Sequence, residues 1–463
     1  MFIEHLIANL QNTGVFIIFL SILILVHEWG HFITAKKLGV KVEEFALGFG
    51  PTLFCKEFHG TNYMLKAFPL GGYVKMAGDE RTKCKGTPDE FFSKPVGHRA
   101  LIVLNGPVVN FILAYVCFVF VFVLGFPDFS TKIGEVRKDS AAVIAGLRIG
   151  DEILELNGKA VYGWNDLETQ MDQVKTGDLH FKILRDGQTL EQSLTPISET
   201  HKNIFGRPQI FREAGLGPML STKIGSIVSG LPAAQAGLRK NDVIAEIDGK
   251  PVKAWEDVQD LIANSSGETI TIKFFRQHKE MTKVMAPKIK TIKDENGQEK
   301  KIRQVGIAPA RFDRAYKFSF PVAVVKGSAH FVNVISMTYK ALYYMLAGSM
   351  SAKENVAGPV GIFNIVKEFS DEGFSQFLMI LGIISANLAI FNLLPIIPLD
   401  GGHLFLQLIE KLKGGALPVK LEDFISRVGL SLIILLALFV FYVDFERIGL
   451  IEGIKKLLFH VKP

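Results

Sequence analysis

The chain has 463 residues, of which 48% are hydrophobic and 21% are charged, and its formal net charge is +6. So much apolar surface is unusual in a soluble protein of this length. Nucleic acid is not an expected partner, since the basic residues are spread along the chain rather than clustered with aromatic ones. The three cysteines, Cys55, Cys84 and Cys117, lack a C-x-x-C spacing, so neither a disulfide framework nor a cysteine zinc site is expected.

The first apolar stretch covers about residues 13–35. Residues 1–5 contain no Lys or Arg, and the run from Val15 to Val26 leads into charged and bulky residues rather than a small-residue cleavage site. A helix needs about 20 mostly apolar residues to cross the hydrocarbon core of a membrane. We therefore expect a retained membrane span rather than a signal peptide.

The pattern H-E-x-x-H occurs near the end of this span, as His27-Glu28-Trp29-Gly30-His31. On a helix the two histidines lie on nearly the same face, where both imidazoles can reach one metal ion. Glu28 is then placed to move protons. The alternative is an amphipathic face whose histidines bond to neighbours. Ionisable groups inside a span are costly, however, and a metal ion compensates them, which favours a zinc site.

The second predicted span, residues 100–125, contains Gly106 and Asn110 near its start. A glycine there permits close helix approach, and the asparagine can hydrogen-bond across helices. Asn110 is therefore a candidate for substrate or oxyanion binding, with helix–helix contact as an equally open alternative.

Segment 127–310 contains an internal repeat. Ala145-Gly-Leu-Arg148 returns as Ala236-Gly-Leu-Arg239, and Asp151, Gly158 and Trp164 return as Asp242, Gly249 and Trp255. Such self-similarity marks two copies of one fold. Asn157-Gly158 and Asp248-Gly249 predict hairpin turns, and a helix is expected after each Trp. The pattern resembles PDZ domains of the bacterial-protease type, which bind peptide ends by strand addition. Two small β-rich domains without grooves are the alternative.

Three further apolar stretches follow. Residues 318–350 are interrupted by polar groups and predict helices lying at the membrane interface. Residues 376–398 and 428–443 predict the third and fourth spans, of which the fourth is short and is expected to extend at its ends. These stretches predict four spans in all.

The end of the third span reads Asn392-Leu-Leu-Pro395-Ile-Ile-Pro398-Leu-Asp400-Gly-Gly-His403. Two prolines break the helix, and freed backbone groups are tolerated at membrane depth only when buried or lining a wet cavity. Asp400 is the preferred third metal ligand, with His403 as its competitor. Asn387 and Asn392 are candidates for binding an unwound substrate, with helix–helix contact again the alternative.

Positive charge near the spans predicts the orientation. Basic residues follow span one, precede span two and lie between spans three and four, at Lys36, Lys37, Lys41, Lys94, Arg99, Lys411, Lys413, Lys420 and Arg427. Both of these loops are therefore expected in the cytoplasm, with the repeat segment on the other side. The ends of spans one and three then meet the start of span two near the cytoplasmic face, where one site can form.

This combination resembles the site-2 protease family of intramembrane metalloproteases, most closely the bacterial regulator of sigma-E protease (RseP) type. The resemblance covers nearly the whole chain. It rests on the HEWGH pattern, the block from Gly106 to Asn110, Pro69–Lys75, Gly358-Pro-Val-Gly361 and Asn392–Gly401. One departure is that Pro398 stands three residues after Pro395, where the family pattern has a spacing of two.

The resemblance implies one zinc ion per chain held by His27, His31 and Asp400, with Glu28 as base and then acid. It implies a re-entrant β-hairpin that includes Gly71 and Gly72 and clamps the substrate. Asn110, Asn387, Asn392, Pro395, Gly71 and Gly72 are accordingly the expected substrate-binding positions.

The implied substrates are single-span membrane proteins, namely anti-sigma factors already shortened by another protease, and remnant signal peptides. In this family the PDZ pair is thought to exclude substrates with bulky external domains. The implied location is the bacterial inner membrane, in contact with the lipid bilayer, with the PDZ domains on the periplasmic side and the active site toward the cytoplasm.

The expected fold is an α-helical polytopic membrane protein with four spans, a re-entrant hairpin and two inserted α+β, β-rich PDZ domains. The expected parts are residues 1–126 with spans one and two, 127–215 and 216–310 as PDZ domains, 311–375 as a linker with interfacial helices, and 376–463 with spans three and four. A membrane-anchored PDZ scaffold with an inert or structural metal site is the alternative function. A transporter with a broken helix explains neither HEWGH nor the repeat.

Overall fold

The computed structural model describes residues 2–293, 299–310, 312 and 314–449. The chain forms two compact units, one made of Met1–Leu124 with Phe318–Pro463 and the other of Gly125–Lys317. Both predicted repeats, at 127–215 and 216–310, lie within the second unit. All residues of the predicted metal site lie within the first.

The first unit begins with a long helix and a β-hairpin that lead into a second helix. These elements are α1 (Phe2–Lys37), β1 (Val42–Phe58), β2 (Thr61–Met76) and α2 (Val96–Leu124), with single 3₁₀ turns at Arg81–Lys83 and Phe91–Ser93 before α2. The strands of the hairpin are irregular. Residues 44–47 pair with 72–75 on one side and with 62–65 on the other. The predicted hairpin around Pro69–Lys75 therefore exists, and residues 44–47 of β1 lie between two segments of β2.

The first repeat of the second unit is a four-stranded sheet, in the order β6-β5-β7-β8, with two helices and two extra hairpin strands. Its elements are β3 (Phe126–Asp128), β4 (Ile133–Val136), α3 (Ala141–Ile144), β5 (Glu152–Leu156), β6 (Lys159–Ala160), α4 (Trp164–Gln173), β7 (Leu179–Arg185), β8 (Gln188–Leu194), β9 (Ile197–Lys202), β10 (Pro208–Glu213) and β11 (Leu216–Pro218).

The second repeat has the same succession and the sheet order β14-β13-β15-β16. Its elements are β12 (Ile224–Ile227), α5 (Pro232–Gln235), β13 (Val243–Ile247), β14 (Lys250–Pro251), α6 (Trp255–Ala263), β15 (Ile270–Arg276), β16 (Lys279–Met285), β17 (Lys288–Lys293), β18 (Glu299–Gln304) and β19 (Ile307–Pro309). Strand β20 (Arg314–Tyr316) then pairs with β3.

The repeated residues have repeated roles. Trp164 and Trp255 are 3% and 2% exposed, and each lies in the core of its repeat. Asp151 accepts a 2.7 Å hydrogen bond from Nε of Arg185, and Asp242 accepts one of the same length from Arg276. Each ion pair joins a buried aspartate to a partly exposed arginine at the end of β7 or β15. It ties that strand end to the loop before β5 or β13, which accounts for the recurrence of the aspartates.

The chain returns to the first unit with six helices, α7 (Phe320–Leu346), α8 (Ala352–Asn355), α9 (Pro359–Ser370), α10 (Phe374–Asn392), α11 (Asp400–Lys413) and α12 (Val419–Arg447). Helix α10 ends at Asn392, several residues before the predicted end of span three, because the Pro395 and Pro398 segment cannot continue it. Helix α12 covers the predicted fourth span, residues 428–443, and extends beyond it at both ends.

Five helices in the described part of the chain are long and apolar enough to cross a membrane, one more than predicted. They are Gln11–Lys37, Val96–Leu124, Phe320–Leu346, Phe374–Asn392 and Val419–Arg447. The fifth, α7, occupies the segment expected to hold interfacial helices. It is one continuous helix packed along α2, where Gly327 faces the Val119 backbone and the polar His330 packs its ring against Phe118. Such helix contacts are not visible in hydropathy.

Candidate metal centre

Helix α1 presents His27 and His31 together, one turn apart. Their Nε2 atoms are 3.2 Å apart and their ring centroids 4.8 Å apart. This is the geometry expected of residues i and i+4 on one helix face. The two imidazole nitrogens therefore converge on one point.

Asp400 completes the cluster from α11. Its Oδ2 lies 3.2 Å from Nε2 of His27, and its Oδ1 lies 3.5 Å from Nε2 of His31. Burial alone would raise the pKa of this carboxyl, but the two histidines outweigh that effect and hold its pKa below the usual range. A metal ion would bind this carboxyl in its ionised form.

The loop 393–399 holds Asp400 in place by packing tightly on the start of α11. A side chain at Gly401 would collide with the backbone of Leu393, and one at Gly402 would have its Cβ 2.5 Å from the nitrogen of Ile397. The prolines break the helix, and the glycines have no side chain that would prevent the broken backbone from lying directly against the helix that begins with Asp400.

The donor set fits a divalent metal ion. The ligand atoms of His27, His31 and Asp400 all lie within 4.8 Å of one another. Nδ1 of His31 is 2.9 Å from the carbonyl oxygen of Ile102, and because a carbonyl only accepts, Nδ1 carries the proton and Nε2 has a free lone pair. In addition, the buried Oδ2 of Asp400 forms no hydrogen bond with a described residue. Two imidazoles and one carboxylate are a typical ligand set of catalytic zinc sites.

A second group of potential ligands, Glu199, His201 and Glu213, lies on β9 and β10 of the second unit. It differs from the first because Glu213 already pairs with Arg137 at 2.6 Å and the side chain of His201 is 49% exposed. A cation bound there would have to displace the arginine.

Asn110 lies behind His27, fully buried. The amide contacts Nδ1 of His27 at 3.3 Å through Nδ2, while its Oδ1 has no hydrogen-bond partner among the described residues. Turning the amide exchanges the two atoms, so that Oδ1 accepts a proton from Nδ1 of His27 and Nε2 is free for a metal. The residue was predicted to bind substrate, and its position is that of a support for His27.

Helices α1 and α2 cross closely beside the cluster. A Cβ on Gly106 would lie 2.5 Å from Cε1 of His31 and 2.9 Å from Cε1 of His27, and one on Gly30 would lie 2.8 Å from the carbonyl carbon of Asn105. The prediction of close approach at Gly106 is confirmed. The structure adds Asn105, whose amide donates to the carbonyl of Gly30 and to Thr34.

Glu28 lies beside the ligand cluster and also packs against the hairpin. A Cβ on Gly72 would lie 3.3 Å from Cγ of Glu28 and 2.8 Å from Ile24, so this glycine lets β2 lie against α1. Gly71 has a φ of +150° and adjoins the ring of Phe49. The carboxylate of Glu28 is close enough to His27, His31 and Asp400 to interact with them electrostatically.

Of the remaining predicted substrate-binding positions, one lies at the ligand cluster and two do not. Nδ2 of Asn392 lies 3.4 Å from Nε2 of His27, at the cluster. Asn387 instead accepts a 2.8 Å hydrogen bond from Thr338 of α7, and Pro395 is exposed in the loop between α10 and α11. His403, the competing ligand, is outside the three-residue group and lines a cleft beside it with Arg81, Arg99, Glu410 and Glu422.

Comparison with known proteins places the chain in a family. Residues 15–436 match the model of Peptidase family M50. The chain belongs to peptidase family M50. It is accordingly an intramembrane metalloprotease, and a multi-pass protein of the bacterial inner membrane.

Relatives of this M50 peptidase match it over nearly their whole length. The regulator of sigma-E protease RseP of Salmonella typhimurium (strain 14028s / SGSC 2262) is 30% identical over 461 residues, which cover 96% of this chain and 100% of the relative. The protein of the same name from Escherichia coli K12 is also 30% identical, with the same coverage. A protein of Neisseria meningitidis serogroup A named as a zinc metalloprotease is 30% identical over 94% of this chain and 98% of its own.

Among solved structures, the M50 peptidase matches PDZ domains of SdrC-like proteins. The one from Listeria monocytogenes is 23% identical over 20% of this chain and 85% of its own, with a TM-score of 0.15. The one from Listeria innocua is 26% identical over 20% and 97%, with a TM-score of 0.16.

Proposed function

We propose that the protein is a zinc endopeptidase that cuts the membrane segments of single-span proteins, with one zinc ion per chain held by His27, His31 and Asp400. The proposal is carried by the convergence of two Nε2 atoms and a buried carboxylate on one point. It is supported by the relatives named as zinc metalloproteases. Zinc held there would supply a Lewis acid to polarise the scissile carbonyl and to lower the pKa of a water molecule.

The protein's own groups then carry the proton and orient the reactants. Glu28 takes a proton from the attacking water and passes it to the leaving amine nitrogen as the peptide C–N bond breaks. Asn110 holds the ring of His27 through Nδ1, and the carbonyl of Ile102 does the same for His31. Asn392, 3.4 Å from Nε2 of His27, donates its amide N–H to the developing oxyanion.

The substrate lies as an extended strand beside β2, near Gly71 and Gly72. A transmembrane helix must unwind before its amide bonds can be attacked, and a strand edge satisfies the exposed backbone groups. The relatives named as regulators of sigma-E protease support anti-sigma factors as one substrate class, and remnant signal peptides are a second. The two repeats act as PDZ domains that bind peptide ends outside the membrane, with the metal centre toward the cytoplasmic side and the repeats toward the periplasmic side.

Glu28→Gln tests the chemistry. The purified variant in detergent is expected to keep one zinc per chain by elemental analysis and to cleave a model single-span substrate at least about 100-fold more slowly than the wild type. Glu57→Gln, on the exposed part of β1, is the matched control and should cleave normally. Cleavage by Glu28→Gln at the wild-type rate would overturn the proposal. Substrate that binds stably to the wild type without turnover would indicate a scaffold instead.

A further inference from the structure

The first repeat contains a cleft between its long helix and the strand that follows the β9–β10 hairpin. Helix α4 lines one wall with Glu168, Met171 and Asp172, and the opposite wall is Phe211 with the segment 212–216. The cleft encloses about 820 Å³, counted to its open mouth. A groove between a helix and a strand is where a peptide can add to a sheet.

Backbone donors are available at the end of this cleft. The carbonyls of Ala214 and Gly215 accept hydrogen bonds from the amides of Ala142 and Arg137, at 3.0 and 2.8 Å. Among the residues that the structure describes, their own N–H groups donate to no acceptor. Val305 and Gly306 of the second repeat accept corresponding bonds from Ala233 and Val228, both at 2.9 Å. The backbone of the two repeats is therefore alike at this end.

The side chains of the two helices differ. Glu168 and Asp172 lie one turn apart on α4, four and eight residues after Trp164. The residues at the same distances from Trp255 on α6 are Gln259 and Ala263. The first repeat therefore has two carboxyl groups where the second has none.

Among the described residues, no Lys or Arg forms an ion pair with either carboxyl, although Arg137 and Arg212 line the same cleft. The guanidinium of Arg212 donates to the carbonyls of Val174 and Gly177 beyond the end of α4. Arg137 is paired with Glu213 at 2.6 Å. Burial, and then repulsion from Asp172, raise the pKa of Glu168, although the indole N–H of Trp164 opposes this. A cation between the two carboxyls would relieve that repulsion.

We infer that the cleft of the first repeat selects an extended peptide end that carries a Lys or Arg side chain, which lies between Glu168 and Asp172. The second repeat has Gln259 and Ala263 at the matching positions, so no such preference is expected there. This inference rests on the proposed role of the repeats in binding peptide ends. It gives the first repeat a preference for a basic peptide end that the second repeat lacks.

Peptide binding to the full-length protein tests the inference. The protein carries Glu28→Gln in every sample, so that binding is measured without cleavage. Fluorescent ten-residue peptides that differ only in a final Lys, Leu or Glu are titrated, and anisotropy gives each Kd. We expect the Lys peptide to bind about tenfold more tightly than the Glu peptide, and the difference to shrink at high salt.

Three variants test which residues produce the preference. Glu168→Gln with Asp172→Asn should abolish the advantage of the Lys peptide, while Glu191→Gln, an exposed carboxyl on β8, should leave it unchanged. Gln keeps the acceptor for the Trp164 indole, so the core of the repeat is preserved. In the opposite direction, Gln259→Glu with Ala263→Asp should strengthen binding of the Lys peptide by creating a second such site.

Equal binding of the three peptides would overturn the inference, as would a Lys preference that survives the double substitution in α4. Proteolysis is measured separately on protein with Glu28 intact. Failure of the proposed protease activity therefore appears as uncut substrate, whereas failure of this inference appears in the peptide Kd values.

Discussion

Gly106 of α2 lies directly against His31 of α1, so close that a Cβ at position 106 would be 2.5 Å from Cε1 of the imidazole. The same Cβ would be 2.9 Å from Cε1 of His27. Real Cβ atoms do not approach rings this closely, so any side chain at Gly106 must push one or both histidines aside.

We therefore predict that Gly106→Ala weakens zinc binding by at least about tenfold, a loss comparable to removing a support of a metal ligand. Zinc affinity is measured by competition with a chromophoric chelator. Gly97→Ala is the control, because this glycine is on the same helix and a Cβ there meets no atom within 4 Å. Wild-type affinity in Gly106→Ala would show that the helices can separate without cost.

The choice between Asp400 and His403 as third ligand is tested by a pair of substitutions. Asp400 lies 3.2 and 3.5 Å from the two imidazoles, while His403 lines the adjacent cleft. We expect Asp400→Asn to lose zinc and proteolysis together and His403→Asn to retain zinc. Elemental analysis of both purified variants decides, and the reverse result would assign the ligand to His403.

The sequence predicts which candidate ligands lie together better than it predicts the residues that support them. The spacing of His27 and His31 predicts that both lie on one helix face. Asp400 is predicted to lie near them from the distribution of positive charge around the spans and from the helix break before it. Neither signal reveals that Asn110 lies behind His27, or that Asn387 bonds to Thr338 of α7. The sequence of an apolar helix does not show whether a polar residue on it faces a ligand, a substrate or another helix.

The same limit applies to α7. Because its polar residues lower the hydropathy of the segment, the sequence predicts a location at the membrane interface. In the structure His330 packs against Phe118, and Lys326 lies with its amino group 4.8 Å from the ring centre of Phe318. These contacts join residues distant in sequence, so the number of candidate spans could not be fixed from local composition. The repeat, by contrast, was predictable because its turns and core residues are local.

Asp444 of α12 caps helix α9 across the bundle. Its carboxylate, 1% exposed, accepts hydrogen bonds from the amides of Gly358, Val360 and Gly361, at 3.1, 2.9 and 3.1 Å. A Cβ on Gly361 would lie 3.1 Å from this carboxylate, which explains the spacing of glycines in Gly358-Pro-Val-Gly361.

We predict that Asp444→Ala lowers the free energy of unfolding by about 1–3 kcal/mol, since buried amides lose their acceptor. Thermal unfolding in detergent, followed by intrinsic fluorescence, measures the change. Asp423→Asn, an exposed position on the same helix, should leave the Tm unchanged. An unaltered Tm in Asp444→Ala would mean that water or the chain replaces the lost bonds.

Asp128 gives the second unit a dependence on pH. Burial raises the pKa of its carboxyl to about 6, and nearby Asp166 and Glu168 add to this, against hydrogen bonds from the amides of Asn165 and Phe129. Because the folded form binds the proton more tightly than the unfolded chain, the ionised group costs stability. That cost is fully present above pH 6 and disappears as the pH falls toward the ordinary value near 4.

We therefore expect the second unit to lose of order 2–3 kcal/mol of stability from this group as the pH rises from about 4 to above 6. Asp128→Asn cannot ionise, so its unfolding free energy should vary less across that interval than that of the wild type. Fluorescence of the buried Trp164 and Trp255 follows unfolding in the full-length protein at each pH. Asp139→Asn, at an exposed position, controls for the removal of a charge. If Asp128→Asn and the wild type show the same pH profile, the carboxyl remains ionised in the folded protein and its burial is offset by the amides that donate to it.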